Sequence, residues 1–182
     1  LKGERNKSHL KDKTKIGKGK KRVGRGGSTK RQLAVKNGFR SHLEMRGCGR
    51  LDDHEIPFDY EPREKQLKYT LIERNCTCQT CGSQKVVSTH KYLPDVIPHN
   101  SNIILEIKGQ FPKSDRDKMI ALKEQYEDLQ FVICFEVPNR KISPKSKFTY
   151  ATWCEKFGLE WCSEHSVTTF LKKKIITTTI NQ

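Results

Sequence analysis

Positive charge in this chain is segregated rather than spread, and that segregation limits what each part can fold into. Residues 1 to 40 hold fifteen Lys and Arg against two acids, Glu4 and Asp12, for a net +13, whereas the remainder, with twenty-one basic and nineteen acidic side chains, carries only +2. Seven of the twelve glycines also fall in those first forty residues, with a single aromatic, Phe39, near their end. Such a segment buries too little apolar surface to offset chain entropy and is expected to be disordered when free. The rest suits one globular domain of roughly 100 to 150 residues. The sequence therefore reads as a basic flexible arm over 1–38, a domain over 39–165 with a cysteine-rich hairpin inserted at about 70–90, and a C-terminal extension over 166–182.

The arm suits a polyanion. Lys18, Lys20, Lys21, Arg22 and Arg25, with Lys30, Arg31 and Arg40 beyond them, would neutralise phosphates and release counterions, so affinity would fall steeply with salt. Charge alone leaves DNA, RNA and an anionic membrane surface open, as well as a mere solubilising tail. No apolar stretch approaches the roughly 20 residues of a membrane span and no signal peptide opens the chain, so a soluble, intracellular protein is expected. Leu1 in place of an initiating Met suggests a processed or incompletely numbered chain. Seven cysteines, an odd number, do not suit a secreted disulfide framework.

Along the domain, Arg40 to Leu51 reads as a helix weakened by Gly47 and Gly49. Phe58 to Tyr60 alternates as a half-buried strand does, and Pro62 follows it. Tyr69 to Arg74 and Lys85 to His90 read as a hairpin around the cysteine-rich turn. Leu93 to Ile97 and Asn102 to Ile107 are β-rich runs with a turn between them. Ser114 or Asp115 is expected to cap a helix in which Met119, Leu122, Tyr126 and Leu129 recur at helical spacing, with Lys118 among the charges on the other faces. Phe131 to Phe135 is an unbroken apolar run and fits a buried central strand. A basic loop follows, and Thr149 opens a last helix that Gly158 closes. The order strand, strand, helix, strand, helix predicts an α/β fold, a small mixed central sheet flanked by helices.

The chemistry concentrates at Pro94-Asp95 and, eleven residues on, Glu106-Ile107-Lys108. Residues i and i+2 of a strand share a face, so Glu106 and Lys108 emerge together while Ile107 points into the core, and a hairpin brings Asp95 alongside. Two adjacent carboxylates stay ionised most easily with a hard cation between them, for which magnesium is the natural occupant. That ion would polarise a phosphoryl oxygen and activate water, while Lys108 would hold the nucleophilic water or neutralise developing charge. Spacing alone also allows a solvated strand face and an ordinary turn.

Pro94-Asp95 with Glu106-x-Lys108 resembles the PD-(D/E)xK nuclease signature. Further blocks resemble the phage endonuclease I family of Holliday-junction-resolving enzymes: Phe39-Arg40-Ser41-His42-Leu43-Glu44, Phe58-Asp59-Tyr60-Glu61, Asp115-Arg116-Asp117-Lys118 with Lys123-Glu124-Gln125-Tyr126, and Tyr150 to Gly158. The blocks run in order from Phe39 to Trp161. The resemblance implies a homodimeric, magnesium- or manganese-dependent endonuclease that nicks four-way DNA junctions. It implies Asp95, Glu106, the backbone carbonyl of Ile107 and Glu44 as metal ligands and Lys108 as catalytic lysine. It also implies exchange of an N-terminal segment between subunits, so that Glu44 would act in the partner's site, and host cytoplasm as the location if the chain is phage-encoded.

Two features depart from the family pattern. Thirty-seven positions separate Phe58 from Asp95, and the surplus centres on Cys76, Cys78 and Cys81, where Cys78-x-x-Cys81-Gly82 has the geometry of a zinc knuckle. The fourth ligand is not identified. A regular hairpin puts His90 opposite Tyr69, seven residues from Cys76, which is roughly 23 Å at about 3.3 Å per residue. Cys48 is a candidate if the tip folds back, and buried or redox-active thiols are the alternative to zinc. Cys134, Cys154 and Cys162 lie in apolar contexts that suit the core. The other departure is the arm itself, longer and richer in Lys and Gly than the family's basic segment. It would contact phosphates rather than base edges, and the loop Arg140 to Lys147 would add a second such surface or be an ordinary solvated loop. Two further functions stay open: a sequence- or mismatch-directed nuclease of the same superfamily, and a non-catalytic basic zinc module that binds nucleic acid.

Overall fold

The computed structural model describes residues 29–73 and 86–180. The cysteine-rich turn with Cys76, Cys78 and Cys81, and the arm lysines and arginines up to Arg25, lie outside the described residues. The chain divides into two units, up to Arg46 and from Gly47 on.

In the first unit α1 (Lys30–Lys36) departs from the expectation of an arm without ordered structure. Thr29 and Gln32 close a reciprocal capping box, the Gln32 amide bonding Thr29 Oγ1 at 3.3 Å and the Thr29 amide bonding Gln32 Oε1 at 2.7 Å. That pattern, Thr-x-x-Gln, is a local start signal that works whatever the net charge around it. Lys30 and Arg31 sit on this first turn. The helix α2 (His42–Asp53) begins two residues later than expected and runs through both glycines.

The second unit is built on a five-stranded sheet in the order β1-β4-β5-β6-β7. Its strands are β1 (Phe58–Tyr60), β4 (Val96–Pro98), β5 (Ile103–Lys108), β6 (Gln130–Phe135) and β7 (Glu160–Ser163). β1, β4 and β5 pair antiparallel, then β5, β6 and β7 pair parallel, so the sheet is mixed. The parallel half needs crossovers, supplied by α3 (Lys113–Gln125) and α4 (Tyr150–Lys156). A separate ribbon pairs β2 (Leu67–Glu73) with β3 (Val86–Tyr92), and its register sets Tyr69 opposite His90, as a regular hairpin requires. The two rings stack at 5.3 Å between centroids.

Alternation along the strands sorts the core onto two faces. Ile104 of β5 and Phe131, Ile133 and Phe135 of β6 pack with Met119 and Leu122 of α3, Trp153 and Cys154 of α4, and Tyr69 and Tyr92 of the ribbon. Ile103, Leu105 and Ile107 point to the opposite face, where Gly47 of α2 comes so close that a Cβ would stand 2.9 Å from Ile107 Cδ1. The helix α5 (Val167–Ile180) lies in the expected C-terminal extension, and its Val167 and Leu171 are buried. Among the described residues, no helix is long and apolar enough to cross a membrane.

The ribbon is fastened to the end of α3 by side chains that imitate a neighbouring strand. Gln125 accepts from the Thr70 amide and donates to the Thr70 carbonyl, both at 2.9 Å. The Tyr126 hydroxyl donates to the Lys68 carbonyl at 2.6 Å and accepts from its amide at 3.2 Å. These backbone groups of β2 are thereby satisfied without a third strand.

Two local expectations need correction. The strand expected over Leu93 to Ile97 is confined to Val96–Pro98, because Pro94 has no N–H to offer a ladder and Asp95 bonds β5 through its side chain instead. The third helix starts at Lys113 with Pro112 at its N-cap and no side-chain cap, so neither Ser114 nor Asp115 caps it. Asp115 is released for another role.

Candidate active site

The antiparallel register that pairs Val96 with Leu105 sets the next residues, Asp95 and Glu106, across from one another. There the backbone ladder gives way to a side chain, with the Ile107 amide donating to Asp95 Oδ2 at 2.9 Å. The Asp95 carbonyl in turn accepts from the Glu61 amide at 3.0 Å, continuing the β1 pairing. Asp95 is thus fixed at both its backbone and its carboxylate.

Glu106 and Lys108 share a face of β5, as their spacing requires, and Lys108 Nζ lies 2.8 Å from Glu106 Oε1. That face looks into the body of the second unit, under α3. Asp95 and Glu106 are each only 2% exposed, a degree of burial that excludes the solvated strand face. Two carboxylates at that depth require compensation. It comes from Lys108, from Lys118 of α3, whose Nζ lies 2.9 Å from Glu106 Oε1, and from the Tyr92 hydroxyl, which donates to Glu106 Oε2 at 2.6 Å. Asp115 completes the cluster at 3.4 Å from Lys108 and 3.7 Å from Lys118. Lys118 also lies over the Tyr92 ring, 5.0 Å from its centroid.

Burial alone would raise the Glu106 carboxyl, but the charges of Lys108 and Lys118, with hydrogen bonds from Lys108 and Tyr92, hold it below the ordinary glutamate value. Lys108 is the mirror case. Burial would lower it, and the Glu106 carboxylate, with Asp95 and Asp115 behind it, pushes it above the ordinary lysine value. Both groups are therefore charged at neutral pH.

The loop between β5 and α3 is pinned so that α3 presents Asp115 and Lys118 to this pocket. Phe111 packs edge-on against Phe135, Tyr150 and Trp153 at 5.2, 5.8 and 5.2 Å. Arg116 donates to the Phe111 carbonyl at 2.7 Å and Arg140 to the Gly109 carbonyl at 3.1 Å. Arg140, expected on a phosphate-binding loop, thus has one structural duty here.

Of the residues singled out from the sequence, Asp95, Glu106, Ile107 and Lys108 come together in the second unit. Glu44 lies in the first unit, in the opening turn of α2, where Ser41 Oγ donates to its Oε1 at 2.9 Å and Arg40 stands 3.8 Å from Oε2. Tyr92, Asp115 and Lys118 were not assigned to the site from the sequence. For Lys118 a signal existed, since Asp115, Lys118 and Leu122 fall at i, i+3 and i+7 on one helical face with a buried leucine. Cys134 and Cys162 are register partners on β6 and β7. A hydrogen bond with Cys162, reinforced by burial, holds the Cys134 thiol well above the ordinary range, while burial pushes Cys154 up to about 12. Cys48 is buried as well.

The pocket's donors are hard oxygens. Among the described residues no cluster of three or more carboxylate, imidazole or thiol donors is assembled. Asp95 and Glu106 form a two-carboxylate pair, which suits an ion that keeps several waters, as magnesium does, and not a closed zinc site.

The fold and this pocket define an α/β protein whose mixed sheet carries a buried, charge-compensated acid pair and an adjoining lysine at the end of its central antiparallel hairpin. Residues 26–181 match the family described as Phage endonuclease I. Endodeoxyribonuclease 1 of Enterobacteria phage T3 is 31% identical over 121 residues, covering 66% of this chain and 68% of that protein. Endonuclease I of Escherichia phage T7 is 29% identical over 126 residues, covering 69% and 73%. The chain belongs to the phage endonuclease I family.

Proposed function

We propose that this protein is a DNA endonuclease that resolves four-way and other branched DNA junctions by metal-dependent phosphodiester hydrolysis, with magnesium or manganese as its ion. The observation that carries the reading is the buried pair Asp95 and Glu106 with Lys108 on the same strand face, in a chain of a family whose relatives are named as endonucleases. Asp95, Glu106 and the Ile107 carbonyl would hold the ion, and Glu44 would join them from its own or a partner subunit's N-terminal segment. When bound, the ion would supply Lewis acidity toward a phosphoryl oxygen and would make a water more acidic. Lys108, held in its charged form, is suited to stabilising the negative charge that develops on the phosphoryl oxygens and is unsuited to serving as a base. Asp95 keeps the carboxylates in register with the strand that carries Lys108.

The same reading includes a PD-(D/E)xK core, a homodimer with exchanged N-terminal segments, a basic arm that tracks the phosphate backbone, zinc at Cys76, Cys78 and Cys81, and a soluble protein acting in the host cytoplasm. The decisive experiment uses synthetic four-way junctions of unrelated sequences and a linear duplex, with magnesium present or chelated. We expect nicking of every junction with magnesium and little of the duplex. Glu106→Gln should lower the nicking rate by roughly a hundred- to thousandfold, the scale of losing one preorganised electrostatic group, with junction binding retained. Cutting that follows sequence rather than branching would sink the junction reading, and equal loss of binding and cutting would sink the assignment of Glu106.

A further inference from the structure

Glu106 Oε1 faces two ammonium groups at nearly equal range, Lys108 Nζ at 2.8 Å and Lys118 Nζ at 2.9 Å. They differ in origin and in what else they can reach. Lys108 shares the strand with Glu106. Lys118 crosses from α3, and a second anion, Asp115 Oδ1, waits 3.7 Å away, one turn back on the same helix. Its side chain is only 15% exposed, so solvent does little to screen its charge. A deeply buried carboxylate pair without counter-charge would be strongly destabilising. The two lysines provide that counter-charge within the chain itself.

A divalent ion held by Glu106 would have to share the neighbourhood of this oxygen with a cation already there, and like charges so close repel strongly in a poorly solvated pocket. We propose that Lys118 is a resident counter-cation: it neutralises the Glu106 end of the metal site while the ion is away, and gives way toward Asp115 when a divalent ion binds. It is a positioning residue that sets how tightly the site holds its ion, and this rests on the metal-dependent reading above. The cluster is built for such an exchange. Asp115 contacts both lysines and lies on the same helical face as Lys118, so the ammonium has a partner before and after it moves.

The test uses the full chain without DNA and calcium as the probe, because calcium takes oxygen-ligand sites. Calorimetric titration gives affinity, and thermal unfolding gives the midpoint with and without the ion. Lys118→Met keeps most of the stem and removes the charge, and Lys118→Arg restores the charge. We expect Lys118→Met to bind calcium about tenfold more tightly or better than the wild type, the direction that removing a nearby like charge dictates. Its metal-free midpoint should fall by several degrees or more, and calcium should recover more of it than in the wild type. Lys118→Arg should stay near wild-type affinity. If the wild type binds calcium and Lys118→Met binds it no more tightly, the proposal fails while the metal reading stands. If neither protein binds, both fail. Should Lys118→Met be unfolded without metal, folding driven by millimolar calcium supports the proposal, and failure to fold with calcium overturns it.

Discussion

At the scale of single residues, the energetics of the site turn on Glu106, whose three close partners, Lys108, Lys118 and Tyr92, come from three elements. The Tyr92 hydroxyl is the one uncharged donor among those contacts, and it is short and buried. Tyr92→Phe leaves Glu106 Oε2 without that bond, which should destabilise the protein by about 1 to 3 kcal/mol. The sign of its pH dependence follows from the depressed carboxyl. A glutamate held below its ordinary 4.5 contributes stability that is fully present above that value and is lost as pH falls through the lower folded value. The Tyr92→Phe penalty should therefore be constant from neutral pH down to about 5 and shrink in more acidic solution, as urea unfolding of both proteins across pH would measure. A penalty that grows on acidification would mean that the hydroxyl stabilises the protonated acid.

Residues of this kind differ in how legible they were. Asp95, Glu106 and Lys108 could be read because strand alternation is a two-residue rule and the motif sits on one hairpin. Tyr92 could not, because its role depends on where β3 ends relative to β5, a tertiary fact. Helical spacing sets Lys118 among the charges on the other faces of α3, although it adjoins Met119 at the edge of the apolar stripe. Long basic side chains at such an edge can bury their stems and turn their heads inward.

Among elements, α2 shows how a weak local preference is overridden. It keeps two glycines that disfavour helix, and they are not equivalent. Nothing lies within 4 Å of a Cβ added at Gly49, whereas one at Gly47 would meet Ile107 beneath the motif strand. Gly49→Ala should raise stability by about 0.5 to 1 kcal/mol, the propensity difference. Gly47→Ala should gain clearly less or lose, because the buried Ile107 side chain must shift. Chemical denaturation compares them directly, and equal gains would show that Ile107 yields freely. The end of the chain was the least legible element. Its Thr- and Ile-rich run, Val167–Ile180, has β-branched residues that disfavour helix, and it is helical with Val167 and Leu171 buried. The β2–β3 register, by contrast, followed from counting outward from the turn.

For the molecule as a whole, charge is the organising quantity. Most of the excess lies in the first forty residues, while the body is near balance, and within that body the site matches buried acids with half-buried lysines. Under the proposed function, binding and chemistry would fall to different parts of one chain. Removing residues 1–28 should weaken junction binding and flatten its salt dependence, lowering the slope of log affinity against log salt by roughly 3 or more, with the nicking rate at saturating enzyme little changed. Binding titrations from low to moderate salt would show this, and an unchanged slope would assign the electrostatic contacts to the body.

The fastening of the ribbon to α3 has a mechanical meaning. β2 is tied to the end of the helix that sends Lys118 to Glu106, and β3, locked to β2 in register, ends at Tyr92, which reaches the other oxygen of the same carboxylate. Helix and ribbon therefore form a closed loop of bonded parts with Glu106 at its mouth. A displacement of the ribbon would thus reach that carboxylate by two routes, through Tyr92 to one oxygen and through the helix that carries Lys118 to the other.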